Sequence, residues 1–268
     1  MENSKFRRSY KIALSALLVV LGTALILLAY FLGDSWQKAW NYLCNISGAA
    51  ILLVGLFFAY SATSRSTKKL NVRQMTLIAV QSSITVVLYY FVKFNLPFFP
   101  PWLDVQVSEI PALITGFAYG PYAGCLVILI RFIVKLPATI TAGVGELGDL
   151  VLGITLVWIS SAIYGRKRDI KGALIGTLIG VLSSTVLAMF VNWLVLIPAY
   201  IHLANFPLSA LVGMMNYIPN FTVTESNFMW VYIFIGVLPF NLFRYVLVAA
   251  LTFLLYKKTH FLLDRLAK

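Results

Sequence analysis

The stretch Gly172-Ala-Leu-Ile-Gly-Thr-Leu-Ile-Gly-Val-Leu-Ser-Ser-Thr-Val-Leu-Ala-Met-Phe-Val-Asn-Trp-Leu-Val-Leu-Ile-Pro-Ala-Tyr200 carries no charged side chain. A helix needs about 20 mostly apolar residues to cross the hydrocarbon core of a bilayer, and this run exceeds that length. Seven further apolar segments flank it: Ile12 to Leu32, Ile46 to Ala62, Met75 to Val92, the short Val107 to Tyr119, Tyr122 to Leu136, Glu146 to Tyr164 and Phe228 to Tyr256. Over all 268 residues, 60% are hydrophobic and 11% charged. Soluble domains keep about a quarter of their residues charged. The composition excludes an ordinary water-soluble enzyme, a disordered chain and a nucleic-acid-binding domain, and implies an all-α integral membrane bundle lying in the lipid bilayer.

The net charge of +12 is a topology signal. Cytoplasmic loops are enriched in Lys and Arg. With the N-terminus inside, the inner loops collect Lys5, Arg7, Arg8 and Lys11, then Arg65, Lys68, Lys69 and Arg73. They continue with Arg166, Lys167, Arg168 and Lys171, and with Lys257, Lys258, Arg265 and Lys268. These are sixteen of the 21 basic residues, while Asp34, Asp104, Glu109, Glu146, Asp149 and Glu225 fall on the opposite side. The pattern predicts a multi-pass cell-membrane protein with eight crossings and both termini cytoplasmic. The first segment is too long for a signal-peptide core and lacks a clear cleavage site, so it reads as a retained helix. Residues 1–73 form a two-helix extension with a polar linker, and residues 74–268 a six-helix domain.

Charged groups at membrane depth cost about 2.5–3.5 kcal/mol each on insertion scales and are usually paired or functional. Here they gather at the outer ends of the last six segments, which points to a polar substrate pocket opening outward. Arg131 and Lys135 are four apart, and Glu146 and Asp149 three apart, so each pair shares a helix face. Asn192 lies in the outer half of the seventh segment, and Arg244 within the eighth. The same residues suit a structural ion-pair cluster or headgroup snorkelling, and Asn192 suits interhelical hydrogen bonding. The loop Phe94-Asn-Leu-Pro-Phe-Phe-Pro-Pro-Trp-Leu103 is stiffened by its prolines. It reads as an interfacial aromatic belt, or as a lid whose Phe98 and Trp102 stack on a planar ligand. Ala142-Gly-Val-Gly-Glu-Leu-Gly148 reads as a tight turn opening a helix. Cys44 and Cys125 have no metal-ligand spacing, and HExxH, GxSxG and Walker A motifs are absent. No catalytic residue, metal or cofactor is assigned.

Four motifs in order carry a resemblance. They are Val107-Ser-Glu-Ile-Pro-Ala-Leu-Ile-Thr-Gly-Phe-Ala-Tyr-Gly-Pro-Tyr-Ala-Gly124, Gly143-Val-Gly-Glu-Leu-Gly-Asp-Leu-Val-Leu-Gly153, Asn192-Trp-Leu-Val-Leu-Ile-Pro-Ala-Tyr200 and Gly236-Val-Leu-Pro-Phe-Asn-Leu-Phe-Arg244. Together they resemble the substrate-binding S components of energy-coupling factor (ECF) vitamin transporters, most closely the riboflavin-specific RibU branch. The similarity spans about Met75 to Tyr256.

The resemblance implies a six-helix core that binds one vitamin near its outer face, here preceded by two extra helices. It implies docking on a transmembrane coupling subunit driven by two cytoplasmic ATPases, and toppling of the bundle to carry the ligand inward. It places Asn192 and Arg244 on the flavin, and small residues of the first core helix, Ala79 and Ser83, on the coupling subunit. This sequence departs from the branch where Arg244 replaces the usual Lys, where Asp149 replaces a frequent Asn, and at Arg131-Phe132. Riboflavin or a related flavin is the expected ligand. An S component for another vitamin, an ion-coupled secondary transporter, and a membrane enzyme using Glu146 or Asp149 are the competing readings. Clear internal repeats, which would favour the secondary transporter, are not visible.

Overall fold

The computed structural model describes residues 72–267 apart from 101, 139–143, 203–205 and 216–221, and the side chains to Leu255. The two predicted N-terminal helices and the linker before Val72 lie outside the described residues. So does the start of the glycine-rich turn at 142–143.

All six predicted core segments are helical. Helix α1 (Val72–Phe91) leads into an antiparallel hairpin of β1 (Lys93–Asn95) and β2 (Asp104–Gln106). Helices α2 (Ile110–Tyr119) and α3 (Pro121–Lys135) follow, joined at Gly120. Gly120 has φ +98°, a conformation that only glycine adopts at low cost, and Pro121 then starts α3 where a missing N–H costs nothing. Helix α4 (Val144–Arg166) turns into α5 (Ile170–Val191), whose N-cap Asp169 accepts a hydrogen bond from the Gly172 N–H at 2.6 Å. A π-helical turn, Asn192–Leu196, carries α5 into α6 (Ile197–His202). Helix α7 (Leu208–Met215) was not foreseen from sequence. The last span starts as α8 (Phe228–Val231), passes through a second π-helical turn at Tyr232–Val237, and ends as α9 (Leu238–Ala267).

Four of these spans are long and apolar enough to cross a membrane: Val72–Phe91, Val144–Arg166, Ile170–Ile201 and Phe228–Leu255. Their outward faces are greasy. Along α5, Ile170, Leu174, Leu178, Leu182, Val186 and Phe190 are all exposed at four-residue spacing. In water such a stripe would be an aggregation hazard; facing lipid tails it is the expected surface. On α1 the inward face is Ile78, Ser82 and Thr85, whereas Ala79 and Ser83 face outward.

Close helix contact holds the bundle together, since lipid is as apolar as leucine and supplies no hydrophobic drive between helices. Helices α4 and α5 pack against each other along their length. A Cβ added at Gly176 would sit 2.6 Å from the Ser160 carbonyl oxygen of α4, so only glycine permits this approach. Among the described residues the hairpin is the one departure from a purely helical reading. Its loop is folded down: Pro100 is buried, and Phe99 meets Phe240 of α9 edge-on with ring centroids 5.4 Å apart.

Candidate functional site

At the hairpin end, β2, α2, α3, α4 and α9 each send polar side chains to one place. Glu109, at the N-cap of α2, is completely buried, and the helix N-terminus favours its negative charge. Its Oε1 accepts from Arg131 Nη1 of α3 at 3.1 Å and also from Arg244 Nη2 of α9. Arg131 Nη1 further donates to Ser108 Oγ, and its Nη2 to the Asp149 carbonyl oxygen at 3.4 Å. Arg244 Nη1 reaches Asp149 Oδ1 at 3.4 Å, and Gln106 Nε2 donates to Asp149 Oδ2 at 3.0 Å. Lys135 stands 3.3 Å from Glu146 Oε1 and 3.7 Å from Asp149 Oδ2. Three cations therefore meet three carboxylates in one connected network.

The network explains how an arginine can lie so deep in an apolar segment. A buried charge is tolerable when paired and hydrogen-bonded, and Arg244 has both a carboxylate and a second acid at hand. The pairing is incomplete, however. Glu109 Oε2, Arg244 Nε and the Tyr245 hydroxyl are buried without a hydrogen-bond partner among the described residues. Buried polar atoms nearly always have partners, so these three atoms are open to a polar ligand group or water.

A second polar chain runs beside the first. Trp102 Nε1 donates to the Tyr232 hydroxyl at 3.2 Å, and that hydroxyl donates to Asn192 Oδ1 at 2.7 Å. Asn192 Nδ2 in turn donates to the Ala188 carbonyl at 2.8 Å. Asn192 and Tyr232 each open a π-helical turn, a feature frequent at functional sites because the extra residue re-aims the side chains around it. The Trp102 and Tyr232 rings lie 5.8 Å apart, and Phe228 stacks on Tyr232 at 5.6 Å. The loop is thus pinned to the last span by one hydrogen bond and by ring contacts, and Tyr232 carries the chain on to Asn192 of the span before it.

Of the residues expected from sequence, Arg131, Lys135, Glu146, Asp149 and Arg244 come together in the ion-pair network, and Trp102 and Asn192 in the chain beside it. Phe98 is 73% exposed; its neighbour Phe99 is the phenylalanine that packs on α9. Sequence reasoning left out Glu109, Gln106, Ser108 and Tyr232. Glu109 was visible as one of few acids at an outer helix end, but nothing in its spacing tied it to Arg131 and Arg244, which are 22 and 135 residues away. Ala79 and Ser83 sit on the exposed face of α1, with Ser83 Oγ donating to the Ala79 carbonyl at 3.1 Å.

Comparison with known proteins agrees with this picture. Residues 73–256 match the family described as ECF transporter, substrate-specific component. The chain is 29% identical to the riboflavin transporter RibU of Staphylococcus aureus, over 74% of its own length and 98% of the relative's. It is 23% identical to the riboflavin transporter FmnP of Bacillus subtilis, over 70% of this chain and 93% of the relative. A solved S component of a bacterial ECF transporter superposes with a TM-score of 0.55 at 27% identity, covering 71% of this chain and 97% of that one. The protein is thus a multi-pass membrane transport component and not an enzyme: it belongs to the family of ECF transporter substrate-specific components.

Proposed function

We propose that this chain is the riboflavin-binding subunit of an ECF transporter, with the ligand held at the hairpin end. The observation that carries the reading is the convergence of Arg244, Asn192 and the partnerless polar atoms beside Glu109 under a loop pinned by Trp102. Isoalloxazine presents carbonyl and ring-nitrogen acceptors next to an imide N–H. Asn192 keeps one amide hydrogen and one carbonyl lone pair beyond its bonds to Ala188 and Tyr232. Arg244 offers the buried Nε–H, and Glu109 Oε2 offers an acceptor. Asp149, Glu146, Arg131 and Lys135 hold that arrangement in register. Trp102 provides the aromatic cover, and Phe98, exposed in this structure, joins it only by turning inward. The names of the similar RibU and FmnP proteins favour riboflavin over another vitamin.

In this reading residues 74–268 form the substrate-binding domain and residues 1–73 an extension of it. The basic loops favour a cytoplasmic location for both termini, which puts the hairpin end on the outer side. A transmembrane coupling subunit with two ATPase subunits would supply the energy for inward delivery. The outward Ala79–Ser83 face of α1 is the proposed contact with that coupling subunit, since small residues let helix backbones approach closely.

Quenching of riboflavin fluorescence by the purified protein tests the site. A hydrogen bond to a charged group contributes about 1.5–3 kcal/mol, which is about 10- to 150-fold in affinity. Arg244→Ala should weaken binding by about that factor, whereas Lys93→Ala, whose partner Asp104 lies in an exposed pair at 3.8 Å, should stay within about twofold. Equal effects of the two substitutions would remove Arg244 from the ligand.

A further inference from the structure

Helix α1 contributes no charge to the polar network, yet one of its side chains lies against two of the three cations. Tyr89 continues the inward face of α1, one turn beyond Ile78, Ser82 and Thr85. Lys135 Nζ stands 4.2 Å from the centroid of the Tyr89 ring, and Arg131 Cζ 5.5 Å from it. Both distances lie within the range in which a cation is attracted to an aromatic face. Arg131 and Lys135 are one turn apart on α3, and the Lys135 ammonium is the closer of the two to the ring. The groups facing Lys135 from the other elements are Glu146 and Asp149 of α4.

We propose that Tyr89 is a positioning residue for ligand binding, acting through Lys135. The ring holds the ammonium between α1 and α4. In that position Lys135 approaches Asp149 Oδ2 only to 3.7 Å, a long contact, and leaves Asp149 to bridge Gln106 and Arg244. Without the ring, the ammonium has only Glu146 and Asp149 to approach, and it draws Asp149 away from Arg244. Arg244 then loses its second acid, and the orientation in which it meets the ligand loosens. The site is thus sensitive to the placement of α1, the helix whose exposed side carries Ala79 and Ser83.

This inference rests on the riboflavin reading, and the test separates the two. Riboflavin fluorescence quenching is measured for the full-length protein and for Tyr89→Phe, Tyr89→Leu, Lys135→Met and the Tyr89→Leu/Lys135→Met double variant. Tyr89→Leu should weaken binding about 3- to 10-fold, the span of a partly desolvated cation–π contact. Tyr89→Phe keeps the ring and should bind within about twofold of the unmodified protein. The double variant should bind no more weakly than Lys135→Met alone, since the ring acts only through that ammonium. An unchanged Tyr89→Leu, a Tyr89→Phe as weak as Tyr89→Leu, or additive losses in the double variant would each overturn the proposal. Failure of the unmodified protein to quench riboflavin would overturn the functional reading instead.

Discussion

Replacing Glu109 with glutamine removes one negative charge from a buried cluster in which Arg131, Lys135 and Arg244 face Glu109, Glu146 and Asp149. The shape of the side chain and one acceptor oxygen remain, so the change isolates the charge. At an effective dielectric of about 20, each unit-charge pair at about 4 Å contributes about 4 kcal/mol, or about 8 kcal/mol for the two guanidiniums on Glu109. Against that loss, removing the carboxylate relieves several kcal/mol of desolvation. The amide oxygen also still accepts from charged donors, at about 1.5 kcal/mol or more per bond. The balance is a destabilisation of about 2–3 kcal/mol, somewhat below the roughly 3–5 kcal/mol for stranding a buried charge outright. At about 2–4 °C per kcal/mol for a chain of this size, the variant should melt about 5–10 °C lower. The assay is thermal unfolding of the detergent-purified protein followed by tryptophan fluorescence. A Glu109→Gln/Arg131→Gln double variant restores charge balance and should be destabilised by less than the sum of its single changes. A Glu109→Gln protein melting within about 1 °C of the unmodified one, or strictly additive losses in the double variant, would refute the account of the network.

Two further outcomes follow from the geometry. Tyr232→Phe removes the hydroxyl that joins Trp102 to Asn192 and should weaken riboflavin binding about 3- to 10-fold at about 1 kcal/mol of lost hydrogen bonding; a loop variant Trp102→Phe, lacking the indole N–H, should lose a similar amount, and an effect in only one of the two would break the proposed pin. Ala79→Leu/Ser83→Leu adds bulk to an outward face of α1 and should leave riboflavin affinity within about twofold while abolishing co-purification with the coupling module. Retained assembly would place the coupling contact elsewhere.

Much of the architecture was legible because membrane helices announce themselves through length and apolarity. Gly172–Tyr200 holds no charge, and the structure carries a continuous span from Ile170 to Ile201. The shortness of the segment ending at Tyr119 was equally visible, and α2 has only ten residues. The hairpin was not legible. Its strands are three residues each, too short for alternation to register, and the prolines between them masked the pairing. The two π-helical turns left no signal either, since one extra residue per turn alters no composition.

The site divides along the same line. Arg131 with Lys135, and Glu146 with Asp149, were readable as pairs because helical spacing is local. Their meeting through Glu109 and Asp149 was not, because it joins α2, α3, α4 and α9 across long stretches of chain. Helix spacing could also not distinguish Phe98 from Phe99, since the loop is irregular and only the folded chain determines which ring turns toward α9. The deep position of Arg244 was the clearest sequence signal, and the structure supplies its physical reason in the two carboxylates that meet its guanidinium.

The central claim, that this substrate-specific component takes riboflavin at the hairpin end, is tested most directly by titrating the purified full-length protein with riboflavin and following flavin fluorescence. The account predicts saturable quenching at one riboflavin per protein chain, weakened about 10- to 150-fold by Arg244→Ala and retained within about twofold by Lys93→Ala. Undiminished flavin fluorescence at micromolar protein, alongside saturable binding of a different vitamin, would contradict it.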